Sequence, residues 1–281
     1  MTEPKLLIVG CGDLGQRVGQ LLARQRWRVD ACRRHPPQDS RDFHWYAADY
    51  TRQTELQFIR ELEPDYVLAT FTPISRDVQG YQAGFAQAAN NLLWALGEHQ
   101  VRHLLMVSST RVYGESGGGW VDENSSLSVS DNRASAIIAA EQQLMESIHP
   151  TTIVRAGGIY GAPGGRLMRK VAGGDIAPSE PVRFTNRIHR EDCAGFLAHL
   201  LAKAQRGEDL ESVYNAVDDN PCPAHEIESW LAGKLQTAAT EQPAESNSVS
   251  HKRCTNGALR SSGYVLRYPD YKSGYTPLLN L

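Results

Sequence analysis

The apolar run Lys5-Leu6-Leu7-Ile8-Val9 leads directly into Gly10-Cys11-Gly12-Asp13-Leu14-Gly15. From there the chain enters a segment in which Leu14, Val18, Leu21 and Leu22 recur at helical spacing. Strand, G-x-G-x-x-G loop and amphipathic helix in that order predict a dinucleotide-binding crossover of a doubly wound α/β sheet. Gly10 permits the tight turn, Gly12 lets the backbone approach a pyrophosphate, and Gly15 lets helix and strand pack closely. The helix N-terminus, opened by Asp13 and Leu14, then faces the phosphates. A plain glycine-rich turn is the alternative, and the order of the flanking elements argues against it.

Further strands are predicted at Trp27–Cys32, Phe43–Ala48, Asp65–Phe71, His103–Val107 and Thr151–Arg155, with Pro36-Pro37 marking a loop. After Thr72-Pro73 a long helix ends near Leu96, with Phe85, Ala88, Ala89, Leu92, Leu93 and Leu96 on one face. Strands alternating with helices over the first ~160 residues predict a Rossmann-type, doubly wound parallel sheet. Later, 192–201 and 224–235 read as helices around a strand at Val213–Val217, and 237–250 reads as an exposed loop. The expected division is a dinucleotide-binding domain over 1–160. A smaller substrate-side lobe over 161–281 is interleaved with the last sheet elements.

At 281 residues and 41% hydrophobic content the chain can build a sizeable core. A net charge of −3, from 29 basic and 32 acidic residues, gives no basic signature, so nucleic acid is not the expected partner. No leader pattern and no apolar run of membrane-spanning length is present, which predicts a cytoplasmic protein with no membrane association. The partner expected is an unidentified small-molecule substrate, and a homodimer is one assembly the sequence allows. Cys11, Cys32, Cys193, Cys222 and Cys254 form no C-x-x-C pair, so reduced, mostly buried thiols and no metal are expected.

Several further segments carry a resemblance. They are Ser108-Ser109-Thr110-Arg111-Val112-Tyr113-Gly114 after the fifth strand, Asp122-Glu123-Asn124, Arg155 to Gly161 with Pro163, Ile188-His189-Arg190-Glu191-Asp192-Cys193-Ala194, and Tyr214-Asn215-Ala216-Val217. With the glycine loop, and in this order, the chain resembles the extended short-chain dehydrogenase/reductase family of epimerase/dehydratase type. Beside that resemblance, Tyr113 and Tyr160 read first as core aromatics, His189 as a structural hydrogen-bonding group and Asp192 as a helix N-cap.

The residue after the second strand distinguishes cofactors, because an acid there binds the ribose hydroxyls of NAD and an arginine accommodates a 2′-phosphate. Arg33 and Arg34 occupy this place and Asp30 lies too early, so NADP(H) is expected over NAD(H), with two solvated arginines as the alternative. The resemblance implies that Asp49 approaches the adenine. It also places Thr70, Phe71, Thr72 and Pro73 in the loop lining ribose and phosphates, and Ser108 beside the cofactor.

Family enzymes use a Ser or Thr with a Y-x-x-x-K pair. By resemblance Ser109 fills the serine position. The resemblance implies a tyrosine ten residues after Glu123 and eight before Glu141; both offsets land on Arg133, with Ile137 at the place implied for lysine. A guanidinium cannot exchange a proton near neutrality, so Arg133 can bind an anion or polarise a carbonyl but cannot replace the tyrosine. The chain is therefore similar to atypical members of the family. The expectation is an oxidoreductase or epimerase acting on a carbonyl, hydroxyl or nucleotide-sugar substrate without Tyr-x-x-x-Lys. The alternative is a non-catalytic NADP(H) sensor.

Overall fold

The computed structural model describes residues 3–37, 43–243 and 251–279. Two compact units share the chain. The first comprises Met1–Val112, Leu127–Arg155 and Ala194–Tyr214, and the second comprises Tyr113–Ser126, Ala156–Cys193 and Asn215–Leu281.

The main sheet has seven strands: β1 (Lys5–Val9), β2 (Arg28–Arg33), β3 (His44–Ala47), β4 (Tyr66–Ala69), β5 (His103–Ser109), β6 (Thr151–Ala156) and β7 (Val213–Ala216). Their order is β7-β6-β5-β4-β1-β2-β3. Leu6, Leu7, Ile8 and Val9 are all fully buried, as expected of a parallel strand covered on both faces. β1 pairs in parallel with β2 on one side, Lys5 opposite Arg28 through Val9 opposite Cys32, and with β4 on the other. Strand order therefore reverses between β1 and β4, and it is at the carboxyl ends of such strands that open α/β sheets bind ligands.

The first unit's helices include α1 (Asp13–Ala23), α2 (Phe58–Leu62), α3 (Val78–Tyr81), α4 (Ala88–Leu96) and α5 (Asn132–Met145), and most of the Arg190–Gln205 helix. The single helix expected to end near Leu96 is broken by a π-helical turn at Gln82–Gln87, which separates α3 from α4. Strand ends move as well: β2 takes in Arg33 and β5 runs on through Ser108 and Ser109. These shifts put the polar residues at the strand ends in fixed backbone rather than in loose loops.

The second unit is built on short pairings. Gly158–Tyr160 lies parallel to Arg187–His189, Trp120–Val121 parallel to Arg253–Cys254, and Phe184–Thr185 antiparallel to Cys222–Pro223. The helices Ala224–Leu235 and Tyr271–Leu279 contribute Ile227, Leu231, Tyr271 and Tyr275 to a core completed by Val171 and Ile176. Within the segment expected to be a loop, Thr240–Glu241 pairs with Asp175–Ile176, while 244–250 lies outside the described residues. No helix is long and apolar enough to cross a membrane, and no group of three or more His, Cys, Asp or Glu could hold a metal ion, among the described residues.

Candidate functional site

Each glycine of the first loop has a distinct steric reason. Gly10 has φ +82°, a left-handed backbone that favours glycine, and a Cβ there would stand 2.9 Å from Thr70 O and 3.0 Å from Tyr50 Cε1. The amides of Gly10 and Cys11 both donate to Cys32 O, at 3.1 and 2.9 Å, tying the loop to the end of β2. Gly15 is pressed on β1, since its Cβ would meet Ile8 Cγ2 at 2.9 Å. Gly12 faces open space, because the nearest atom to a Cβ would be Gly10 O, 3.9 Å away.

Gly12 is also the N-cap of α1, and no side chain among the described residues caps that end. The helix therefore presents backbone donors and a positive dipole end at a place with no side chain in the way, which suits a phosphate. Asp13, exposed in the first turn, pairs with Arg17 at 3.0 Å, which compensates its charge, and Leu14 beside it is half-buried. The residues present fit a dinucleotide pyrophosphate.

The loop after β4 closes on the glycines. Thr70 Oγ1 donates to Gly10 O at 2.9 Å, and Phe71 is buried with its ring 5.2 Å from that of Tyr50. The Tyr50 hydroxyl in turn accepts from the Thr72 amide at 3.2 Å. Tyr50 escaped the sequence reading, although its place just after Asp49 at the end of β3 was the available signal. Asp49 accepts from the Thr51 amide and hydroxyl at 3.0 and 2.7 Å on a single oxygen.

Arg33 is half-buried at the end of β2 and Arg34 is exposed beyond it. The Cys11 thiol is pushed up to about 12 by burial and then by Cys32, against an opposing pull from Arg33. Arg33 follows directly on Cys32, whose carbonyl takes the Gly10 and Cys11 amides. Asp30 is fully buried within β2, paired with Arg28 at 3.0 Å, and so does not stand at the strand end.

At the end of β5 a buried polar cluster forms. Ser108 Oγ donates to Glu141 Oε1, and Arg155 Nη2 lies 2.8 Å from Glu141 Oε2, with all three residues buried. Arg155 is thereby engaged with Glu141. Ser109 is half-buried and accepts from the Arg111 amide at 3.2 Å, which leaves its hydroxyl proton to donate. Arg133, in the first turn of α5, carries its guanidinium 6.0 Å from the centre of the Tyr81 ring, and Ile137 one turn later is buried.

In the second unit Tyr113, Glu123, Tyr160 and His189 each have a structural partner. Tyr113 is buried and donates to Asn215 Oδ1 at 2.6 Å, while Glu123 accepts from the Asn215 amide at 2.9 Å. Tyr160 donates to Asp270 O at 3.3 Å and stacks on Tyr275, and burial with the nearby Asp218 raises its phenol above the ordinary range. His189 is buried against Tyr268, ring centres 4.0 Å apart, and its Nδ1 accepts from the Glu191 amide. Asp192 corrects the N-cap expectation. It lies inside the first turn of the Arg190–Gln205 helix and its carboxylate accepts from the amides of Arg267 and Tyr268, at 2.7 and 2.8 Å. The carboxylate thus satisfies a distant loop rather than its own helix.

A family model described as NAD(P)H-binding matches residues 10–204. No curated protein matches the chain. Among solved structures, a Methylobacillus flagellatus protein assigned as an NAD-dependent epimerase/dehydratase shares 32% identity and a TM-score of 0.81, over 99% of this chain and 98% of its own. A human epimerase family protein solved with NADPH (17% identity, TM-score 0.77, covering 98% and 99%) shares the fold. So does a UDP-glucuronic acid 4-epimerase from Bacillus cereus solved with NAD (17%, 0.76, covering 98% and 96%). Glycine loop, strand order and family match agree: the chain belongs to the NAD(P)H-binding, epimerase/dehydratase-like proteins of the extended short-chain dehydrogenase/reductase type.

Proposed function

We propose that the chain is an NADP(H)-dependent oxidoreductase or epimerase of atypical mechanism, acting on a carbonyl or hydroxyl group. The observation that carries this reading is the N-terminus of α1 at Gly12, uncapped and unobstructed among the described residues, on a loop bonded to Cys32 O, one residue before Arg33 at the end of β2. The helix end takes the pyrophosphate, and Arg33 with Arg34 takes the 2′-phosphate as charge-assisted donors. The bound dinucleotide supplies hydride chemistry. Ser109 orients the substrate oxygen by donating its hydroxyl proton, and Arg133 supplies positive charge but no exchangeable proton.

A second reading is supported by Ile137, buried where the family's lysine would stand, and by Arg133 in the tyrosine position. On that reading the protein binds NADP(H) and acts as a sensor without turnover.

Titration of the purified protein with NADPH and NADH tests the cofactor, and NADH binding as tightly as NADPH would refute the arginine argument. Turnover with NADPH over carbonyl and sugar-nucleotide substrates supports the enzyme. Tight cofactor binding with no turnover across them favours the sensor.

A further inference from the structure

Three elements of the first unit bring charged groups onto one aromatic ring. Tyr81 comes from α3, Arg111 from the short turn directly after β5, and Arg133 from the first turn of α5. The guanidinium carbons of Arg111 and Arg133 lie 5.9 and 6.0 Å from the Tyr81 ring centre, within cation–π range.

The two arginines are not equivalent. Arg111 Nε lies 2.7 Å from Asp131 Oδ2, a close ion pair. Asp131 Oδ1 is taken by the backbone amide of Arg133, at 3.0 Å, as the cap of α5. Both oxygens of Asp131 are thus used, one by each arginine residue, yet the Arg133 guanidinium receives neither. Asp77 is the other acid in reach. Its Oδ1 accepts from Ser75 Oγ at 2.7 Å and from the Gly80 amide at 2.6 Å, and these bonds hold its carboxyl below the usual range, with Arg133 adding a smaller pull through space. Among the described residues Arg133 therefore has no carboxylate at ion-pair distance. It is half-buried and held over a ring, so much of its side-chain freedom is already lost.

We infer that Arg133, seated on Tyr81 beside the Arg111–Asp131 pair, anchors a negatively charged oxygen group of the substrate, a carboxylate or a phosphate. A planar fork with unspent donors suits either group, which it can grip through two parallel N–H···O bonds. Asp131 keeps Arg111 neutralised and caps the helix, leaving the Arg133 guanidinium with no carboxylate at ion-pair distance among the described residues. This inference rests on the proposed function and narrows its substrate class to anionic carbonyl or hydroxy compounds, with Ser109 for the reacting oxygen and Arg133 for the charge. Arg133 is on this account a binding and orienting residue.

The test uses the full chain saturated with NADPH. Binding of pyruvate, its neutral amide, and inorganic phosphate is followed by calorimetry for the unaltered protein and for Arg133→Gln and Arg133→Lys. Loss of a charged hydrogen-bonding partner predicts that Arg133→Gln weakens the anionic probe by about tenfold to a hundredfold, with Arg133→Lys in between. The amide should bind weakly to all three proteins, and the NADPH affinity should not change. Preference for pyruvate or for phosphate identifies the anionic group. If neither anion binds the unaltered protein, or if Arg133→Gln binds the anion as well as the unaltered protein does, the inference is overturned. Failure of NADPH itself to bind would instead refute the proposed function on which it rests.

Discussion

Gly15 and Ile8 bring α1 and β1 so close that one added methyl group on the glycine would stand 2.9 Å from Ile8 Cγ2. Gly12, three residues earlier, has only open space and Gly10 O at 3.9 Å. The two positions therefore separate packing from ligand approach. Gly15→Ala should destabilise the fold by about 1–3 kcal/mol through overpacking, seen as a lower urea midpoint. Gly12→Ala should keep the midpoint and lose NADPH affinity, because its methyl group enters the space the pyrophosphate requires. A normal NADPH affinity in a folded Gly12→Ala protein would remove the pyrophosphate from this loop.

The buried trio of Ser108, Glu141 and Arg155 gives a second prediction. Replacing Glu141 with Ala strands the Arg155 guanidinium in a buried site, at an expected cost of about 3–5 kcal/mol. Replacing Glu141 with Gln should cost less, since an amide oxygen can still accept from Arg155. Denaturant melts of both variants check the order. A Glu141→Ala protein as stable as the parent would mean that the pair contributes no net stability.

Asp218 makes stability depend on pH. Its carboxyl is pushed up to about 8, chiefly by burial, with Arg187 and the Asn220 amide pulling the other way, and its Oδ2 has no hydrogen-bond partner among the described residues. Between the ordinary aspartate range and pH 8 the folded chain holds a proton at this position that the unfolded chain has lost. This contribution is therefore fully present below about pH 4 and declines as pH rises to about 8, by an amount on the order of 1 kcal/mol per pH unit. Asp218→Asn should remove that decline. Urea midpoints at pH 5 and pH 8 give the comparison, and an equal drop in both proteins would rule out Asp218 as its source.

The thiols should be inert in the folded protein. All five cysteines are free and buried, and burial pushes each thiol up to about 12. A disulfide reagent at pH 8 should react slowly with the native chain and rapidly at five sites after denaturation. Fast native reaction at Cys11 would show that the thiol in the glycine loop is accessible despite its burial.

The amino-acid sequence by itself determined the Rossmann-type sheet and the glycine loop, because both rest on local rules. Four-residue apolar runs such as Leu6–Val9 demand burial on both faces, and Gly10 is the residue type that accepts a left-handed φ at a crowded turn. The assignment of Arg133 and Ile137 to the family's tyrosine and lysine positions rests instead on offsets from Glu123 and Glu141 carried over by resemblance. Only the tertiary structure decided what the polar residues do. Arg155 is engaged with Glu141, Asp192 satisfies the amides of Arg267 and Tyr268, and Tyr113 is bound to Asn215 a hundred residues away in sequence. A carboxylate or phenol looks the same in sequence whether it waits for a ligand or satisfies a buried donor. The difference lies in which distant backbone or side chain folding brings within about 3 Å of it.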